Sequence, residues 1–155
     1  MAEAAASAPP DANIEVRPAA PADAAAVARL LTTLGYPCDP RDAAERIRAV
    51  QADPRQQLLL ACVDGEGAGL LGLDVLYYLP LGAPTCRITA LVVAPDAQRN
   101  GIGRRLVREA ERRARLAGAS RLELTSAAHR AEAHAFYRAL GFTEGALRFV
   151  KALGA

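Results

Sequence analysis

The stretch Leu91-Val92-Val93-Ala94-Pro95, followed by Gln98-Arg99-Asn100-Gly101-Ile102-Gly103-Arg104, constrains this chain more than any other. A short apolar strand ends at Ala94-Pro95, a polar turn follows, and two glycines open a long helix of arginine, alanine and leucine. A strand feeding a helix in this way leaves the first backbone N–H groups of the helix without intrahelical partners. The positive end of the helix dipole adds to them, so the turn suits a phosphate or pyrophosphate. The glycines let a ligand approach the backbone closely. The donors are the N–H groups from Arg99 through Asn100, Gly101, Ile102 and Gly103 to Arg104, and the Arg99 and Arg104 side chains can add charge-assisted bonds. The bland reading is a helix start with glycines for tight packing. Further along, Arg105, Arg108, Arg112, Arg113 and Arg115 read as a solvated helix face, since Glu109 and Glu111 stand at pairing distance from several of them.

A chain of 155 residues is one domain by length, and 52% hydrophobic residues suffice for a sizeable core. A net charge of +2 is too small to argue for a nucleic-acid or membrane partner. No stretch approaches the ~18 apolar residues of a membrane span. Residues 1–13 are rich in alanine and proline and carry no basic residue, unlike a secretion signal; they read as a disordered leader before a single domain at 14–155. Cys38, Cys62 and Cys86 are odd in number and show neither metal-ligand spacing nor a disulfide framework, so no metal is expected and a reducing cytoplasm fits best.

Periodicity predicts the elements in order. Ile14–Arg17 alternates as a strand, Ala22 to Leu34 repeats as a helix stopped by Gly35, and Asp39-Pro40 caps a second helix running to about Gln51. Strands follow at Gln57–Val63, Gly69–Tyr78 and Arg87–Val93, the first two joined by a hairpin turn at Asp64-Gly65-Glu66-Gly67. Gly103–Ala117 is a third helix, Arg121–Thr125 a further strand, Ala131–Leu140 a fourth helix, and Thr143–Ala152 two short strands. This order is a mixed α+β arrangement. A doubly wound dinucleotide fold is disfavoured, because there the glycine-rich turn follows the first strand.

The turn resembles the Q/R-x-x-G-x-G/A signature of the GCN5-related N-acetyltransferases, with Gln98, Gly101 and Gly103 in the defining positions. A second run, Ala133-x-x-Phe136-Tyr137-x-x-x-Gly141-Phe142, resembles the C-terminal motif of the same family and lies in the expected order downstream. The resemblance spans roughly Ile14 to Ala152. It implies the acyl-CoA N-acyltransferase fold, a central mostly antiparallel sheet flanked by about four helices. It also implies acetyl-CoA as co-substrate, gripped through its pyrophosphate by the glycine turn.

By the same resemblance the backbone of Leu91, Val92 and Val93 contacts the pantetheine arm and the acetyl oxygen, while Ser126 and Arg130 face the same region. Relatives often carry asparagine where Arg130 stands, so that contact departs from the pattern. Tyr137 is the expected acid that protonates the leaving thiolate; a phenol of pKa about 10 stays protonated at neutral pH. The strand before the turn, Arg87-Ile88-Thr89-Ala90-Leu91, lacks the carboxylate that many relatives use as base. Glu123, Asp74, His134 or a water remain open for that role. Tyr36, Pro37, Cys38, Tyr77, Tyr78 and Leu81 are the expected acceptor-pocket residues.

The sequence therefore predicts an N-acetyltransferase that moves acetyl from acetyl-CoA to a primary amine of a small molecule or peptide, directly in a ternary complex. It is expected in the cytoplasm, free of nucleic-acid and membrane partners and compatible with a homodimer. Two rivals stand beside it: a non-catalytic acyl-CoA-binding or regulatory module, and a transferase of longer acyl groups or one acting on a protein N-terminus.

Overall fold

A computed structural model describes residues 13–125, 131–145 and 148–154. Residues 1–12 of the expected leader, together with Ser126 and Arg130, lie outside the described residues. The chain divides into two compact units, Met1–Thr125 and Ser126–Ala155.

The first unit is built on a five-stranded sheet. Its strands are β1 (Ile14–Pro18), β2 (Gln56–Val63), β3 (Glu66–Tyr78), β4 (Ala83–Val93) and β5 (Leu122–Leu124), and they lie side by side in chain order. The first four are antiparallel neighbours, and β5 joins β4 in parallel. Asp64 and Gly65, both at positive φ, make the two-residue turn between β2 and β3. Strand β3 begins earlier than expected, at Glu66, which pairs with Val63, and β4 begins at Ala83 instead of Arg87, because Pro84 and Ala83 pair with Tyr77 and Tyr78.

Helices α1 (Ala24–Leu34), α2 (Pro40–Gln51) and α3 (Ile102–Leu116) complete this unit. In α1 the buried residues are Val27, Ala28 and Leu30; in α2 they are Ala43 and Ile47. These stripes pack on Leu60, Cys62, Leu70 and Val92 of the sheet. Successive strand residues point to opposite faces, so Gly69 faces the other way from Leu70. A Cβ on Gly69 would stand 2.8 Å from Ile102 and 3.0 Å from Leu106, so α3 rests on this second face. The Asp39 carboxylate caps α2 by accepting from the Asp42 N–H at 2.8 Å, as its position before Pro40 predicts.

Two features of β4 position the site. Gly72 pairs with Ala90 and Leu73 with Ile88, so Thr89 is an extra residue bulged out of the ladder. A Cβ on Gly72 would come within 2.5 Å of Thr89 Oγ1, so the bulge needs glycine opposite it. Meanwhile β5 pairs only with Cys86, Arg87 and Ile88. From Thr89 to Val93, β4 has β3 on one side and, among the described residues, no strand on the other.

The second unit contains α4 (Ala131–Ala139). The helix closes with paired bonds, Gly141 N–H to Arg138 carbonyl at 3.0 Å and Phe142 N–H to Tyr137 carbonyl at 3.0 Å, with Gly141 at φ 95. The two strands expected within Thr143–Ala152 are not present: the described residues there take no regular structure. Phe149, Val150 and Leu153 stand exposed. None of the described helices is long and apolar enough to cross a membrane.

Candidate active site

The chain leaves β4 through a single 3-10 turn at Pro95–Ala97. Gln98 then folds back, its Nε2 donating to the Val93 carbonyl at 3.3 Å. That bond ties the turn to the strand, so the Gln98 side chain braces the loop. Arg99 follows at φ 71, an uncommon conformation for a side chain of its size. Gly101, at φ 81 and ψ 6, is the last residue before α3.

The first bond of the α3 ladder runs from the Arg105 N–H to the Gly101 carbonyl at 3.0 Å. The N–H groups of Ile102, Gly103 and Arg104 precede it and have no acceptor within the helix. No side chain caps them, and the first turn holds no acidic residue. Arginines stand there instead: Arg99 and Arg104 are exposed, as is Asn100, while Arg105 reaches back to the Ile14 carbonyl at 3.4 Å. With glycine at the N-cap the missing side-chain bond costs only a few tenths of a kcal/mol, and a cation at this end costs a further ~0.3–1 kcal/mol. The end of α3 is thus electrostatically unfilled, with Ile102 buried beneath it to fix its place on the sheet. Of the expected strand contacts, Val92 is buried in the core, whereas Leu91 and Val93 are half-buried.

Where β5 joins β4 the side chains form an ionic network. Glu123 accepts from Arg87 Nε at 2.7 Å through one oxygen, and its other oxygen lies 3.3 Å from Arg121. Arg121 also donates to the fully buried Thr85 hydroxyl at 3.0 Å and sits over the Tyr78 ring, 4.8 Å from its centre. Glu123 therefore spends both oxygens on guanidinium groups. Asp74, opposite Arg87 in the register, gives one oxygen to Arg55 at 3.0 Å; its Oδ1 is buried without a hydrogen-bond partner among the described residues. Burial, with the Asp74 charge adding to it, pushes the Cys86 thiol up to about 11, and burial also raises Cys62. Thiols so protonated are poor nucleophiles.

In the second unit, Tyr137 is half-buried and its ring packs edge-on against Phe136 at 5.7 Å and Phe142 at 5.9 Å. The helix-closing bonds at Gly141 turn Phe142 back onto Tyr137, which is why glycine and an aromatic residue follow it at that spacing. His134 lies one turn earlier on α4. The Glu144 carboxyl nearby is held below the usual range, first by its hydrogen bond to Arg138.

Sequence reasoning missed one feature. A cavity of about 160 Å³ lies between the sheet and the helices α1 and α2, and Gly72, Thr89 and Ala90 at the bulge form one wall. None of the six residues expected to line an acceptor pocket lines it. Tyr36, Tyr77 and Leu81 are exposed, Pro37 lies in the exposed loop after α1, and Tyr78 is covered by Arg121. Cys38 turns its thiol to the Asp39 carbonyl at 3.4 Å. Gly72, one of three glycines along β3 with Gly67 and Gly69, was the available signal.

Comparison with known proteins adds the following. The profile of the Acetyltransferase (GNAT) family matches residues 24–142 of the chain. An aminoalkylphosphonate N-acetyltransferase of Salmonella typhimurium is 37% identical over 101 residues, covering 65% of this chain and 66% of that protein. An aminoglycoside N(6')-acetyltransferase type 1 of Stenotrophomonas maltophilia is 35% identical over 133 residues, covering 83% of this chain and 86% of that protein. Among solved structures, a GNAT family acetyltransferase of Staphylococcus aureus superposes with a TM-score of 0.79 at 23% identity, covering 91% of this chain and 99% of that one; at that identity the likeness is one of fold.

Proposed function

The chain belongs to the acetyltransferase (GNAT) family and is an acetyltransferase, and from that premise we propose that it transfers the acetyl group of acetyl-CoA directly to a primary amine in a ternary complex. The observation that carries the proposal is the uncapped, arginine-flanked start of α3 at the end of a strand whose last five residues have, among the described residues, no strand on one side. That start offers donors and positive charge to a diphosphate. That side, from Thr89 to Val93, spans about 16 Å at ~3.3 Å per residue, comparable to an extended pantetheine arm.

In this reading the N–H groups of Ile102, Gly103 and Arg104 hold the diphosphate, with Arg99, Asn100 and Arg104 at its rim. Gln98 keeps the turn closed. The backbone of Leu91, Val92 and Val93 orients the pantetheine arm and offers an N–H to the acetyl oxygen, where negative charge develops. Ser126 and Arg130 are assigned to the same arm on the strength of the motif. Acetyl-CoA supplies an activated thioester, so the amine nitrogen can form the new C–N bond as the C–S bond breaks. The Tyr137 hydroxyl donates its proton to the departing sulfur, and the amine proton leaves to solvent. Glu123 is set aside as base, because both its oxygens are occupied by arginines. The acceptor is a small molecule or a peptide amine, as the names of the two relatives suggest for small molecules.

The test is release of free thiol from acetyl-CoA with a panel of primary amines, for the natural chain and Tyr137→Phe. The variant is expected to lower kcat by about 10²-fold, the usual weight of a positioned acid, with little change in the KM for acetyl-CoA. An unchanged kcat removes Tyr137 from the mechanism. Tight binding of acetyl-CoA without thiol release for any amine removes the catalytic reading.

A further inference from the structure

The cavity beside the bulge carries an inference about the acceptor, which rests on the acetyltransferase reading. Its walls come from α1, α2 and strands β2, β3 and β4, and are mostly apolar: Val27, Leu31, Leu58 and Leu70 contribute. At ~30 Å³ per water, its 160 Å³ holds about five water-sized units. A compact amine of a few heavy atoms fits there.

One charged residue lines the cavity, Arg46 of α2. It is exposed and makes no ion pair or side-chain hydrogen bond with any described residue. The other arginines on the nearby sheet are already matched: Arg55 by Asp74, and Arg87 and Arg121 by Glu123. Gln57, the other polar side chain with an amide on the wall, accepts from Arg113. Among the described residues no carboxylate lines the cavity. A polycation would therefore meet an unmatched positive charge and no counter-ion from the described lining, whereas an anion would match the Arg46 charge.

The position also suits the chemistry. Thr89 and Ala90, with Gly72 across the ladder, lie where β4 parts from β5 and directly precede the Leu91–Val93 segment assigned to the acetyl oxygen. A molecule with its anionic group toward Arg46 and its amine toward Ala90 is presented to that segment. We propose that the acceptor is a small primary amine bearing an anionic group, phosphonate or carboxylate, and that Arg46 is the residue that selects it. A guanidinium suits both anions, since it can offer two parallel N–H donors to paired oxygens.

The experiment is steady-state thiol release from acetyl-CoA with four acceptors: 2-aminoethylphosphonate, β-alanine, neutral ethanolamine and the polycation kanamycin. At least one of the two anionic amines should exceed ethanolamine in kcat/KM by about tenfold or more, with kanamycin lowest; their ratio identifies which anion is preferred. Arg46→Ala should raise KM for the preferred anionic amine by about tenfold to a hundredfold with little change in kcat, bringing the anionic-to-neutral ratio toward one. Arg46→Lys should retain much of the preference. Turnover of kanamycin or ethanolamine that matches or exceeds both anionic amines overturns this inference and leaves the acetyltransferase reading intact. So does an Arg46→Ala variant that loses activity equally on every amine. Absence of thiol release with all four, in protein that binds acetyl-CoA, overturns both.

Discussion

Reversing one charge, Arg104→Glu, should make the protein more stable and its cofactor binding weaker. Arg104 is exposed at the third residue of α3, a helix with no cap and no acid in its first turn. A cation there opposes the helix dipole by ~0.3–1 kcal/mol, and an anion is favoured by a similar amount, so reversal stabilises by about 0.6–2 kcal/mol. The like-charged pair with Arg108, one turn on, becomes an attractive pair worth a few tenths of a kcal/mol. For a domain of this size each kcal/mol raises Tm by about 2–4 °C, giving a rise of roughly 1–8 °C. Binding moves the other way. At ~6 Å, one unit-charge interaction is about 0.7 kcal/mol in water and about 2.8 kcal/mol at an effective dielectric of 20. Reversal alters it by two units, about 1.4–5.5 kcal/mol, so the Kd for acetyl-CoA should rise at least ~10-fold. Calorimetric titration measures the affinity, and a thermal melt without ligand measures the stability. The loss should shrink at high salt, as exposed charges are screened. Arg115→Glu, in the last turn of the same helix, is the control and should leave affinity unchanged. A variant that is more stable yet binds acetyl-CoA as before would refute the assignment of the diphosphate to this helix end.

Other outcomes follow from the packing and the charges. Gly69→Ala sets a methyl 2.8 Å from Ile102, and overpacking of this kind should cost about 1–3 kcal/mol by denaturant titration and loosen the seat of α3. Asp23→Ala removes two bonds to Arg17, at 2.8 and 2.9 Å, and one from the Ala20 N–H at 2.8 Å. Discounted for the partly exposed Arg17, the loss should be about 1–2 kcal/mol at pH 7. The Arg17 hydrogen bond holds the Asp23 carboxyl below its ordinary range, so this stability is present above the unfolded pKa of about 4 and disappears as pH falls further. Melts of both proteins should therefore differ at pH 7 and converge in acid. A difference that persists there would mean Asp23 acts through packing instead.

Much of this arrangement was legible in the sequence, for reasons that are local. Asp39-Pro40 announces α2 because a capping carboxylate and a fixed φ act within four residues. Gly35, Gly118 and Gly141 end their helices for a similarly local reason, each at positive φ. The phosphate turn was readable because its parts, from Gln98 to Arg104, are contiguous. The features that stayed hidden are those assembled from distant residues. The bulge at Thr89 depends on Gly72 across the ladder, and the cavity combines Leu31, Arg46, Leu58 and Thr89 from four elements. Glu123 offered itself as a base by topology alone; only the register, with Arg87 beside it and Arg121 behind, reveals that both its oxygens are taken.

The places where this chain disobeys local rules are not scattered. α2 is capped by Asp39; Asp23, before α1, caps no helix N–H but is matched by Arg17 and Ala20. Around α3, among the described residues, three departures coincide: Arg99 at φ 71, no side-chain cap at Gly101, and arginines where the dipole favours acids. Each costs stability, about 1 kcal/mol or more for a bulky residue in the left-handed region alone. Sites that break local preference together are expected where a ligand restores the balance. A diphosphate would accept the three free N–H groups, match the arginines and occupy the concave backbone that the left-handed residues create. The same logic separates Arg46 from the remaining arginines of this unit's sheet face. Arg55, Arg87 and Arg121 have their carboxylates within the fold, whereas Arg46 has an open cavity in front of it and nothing in the described chain to meet.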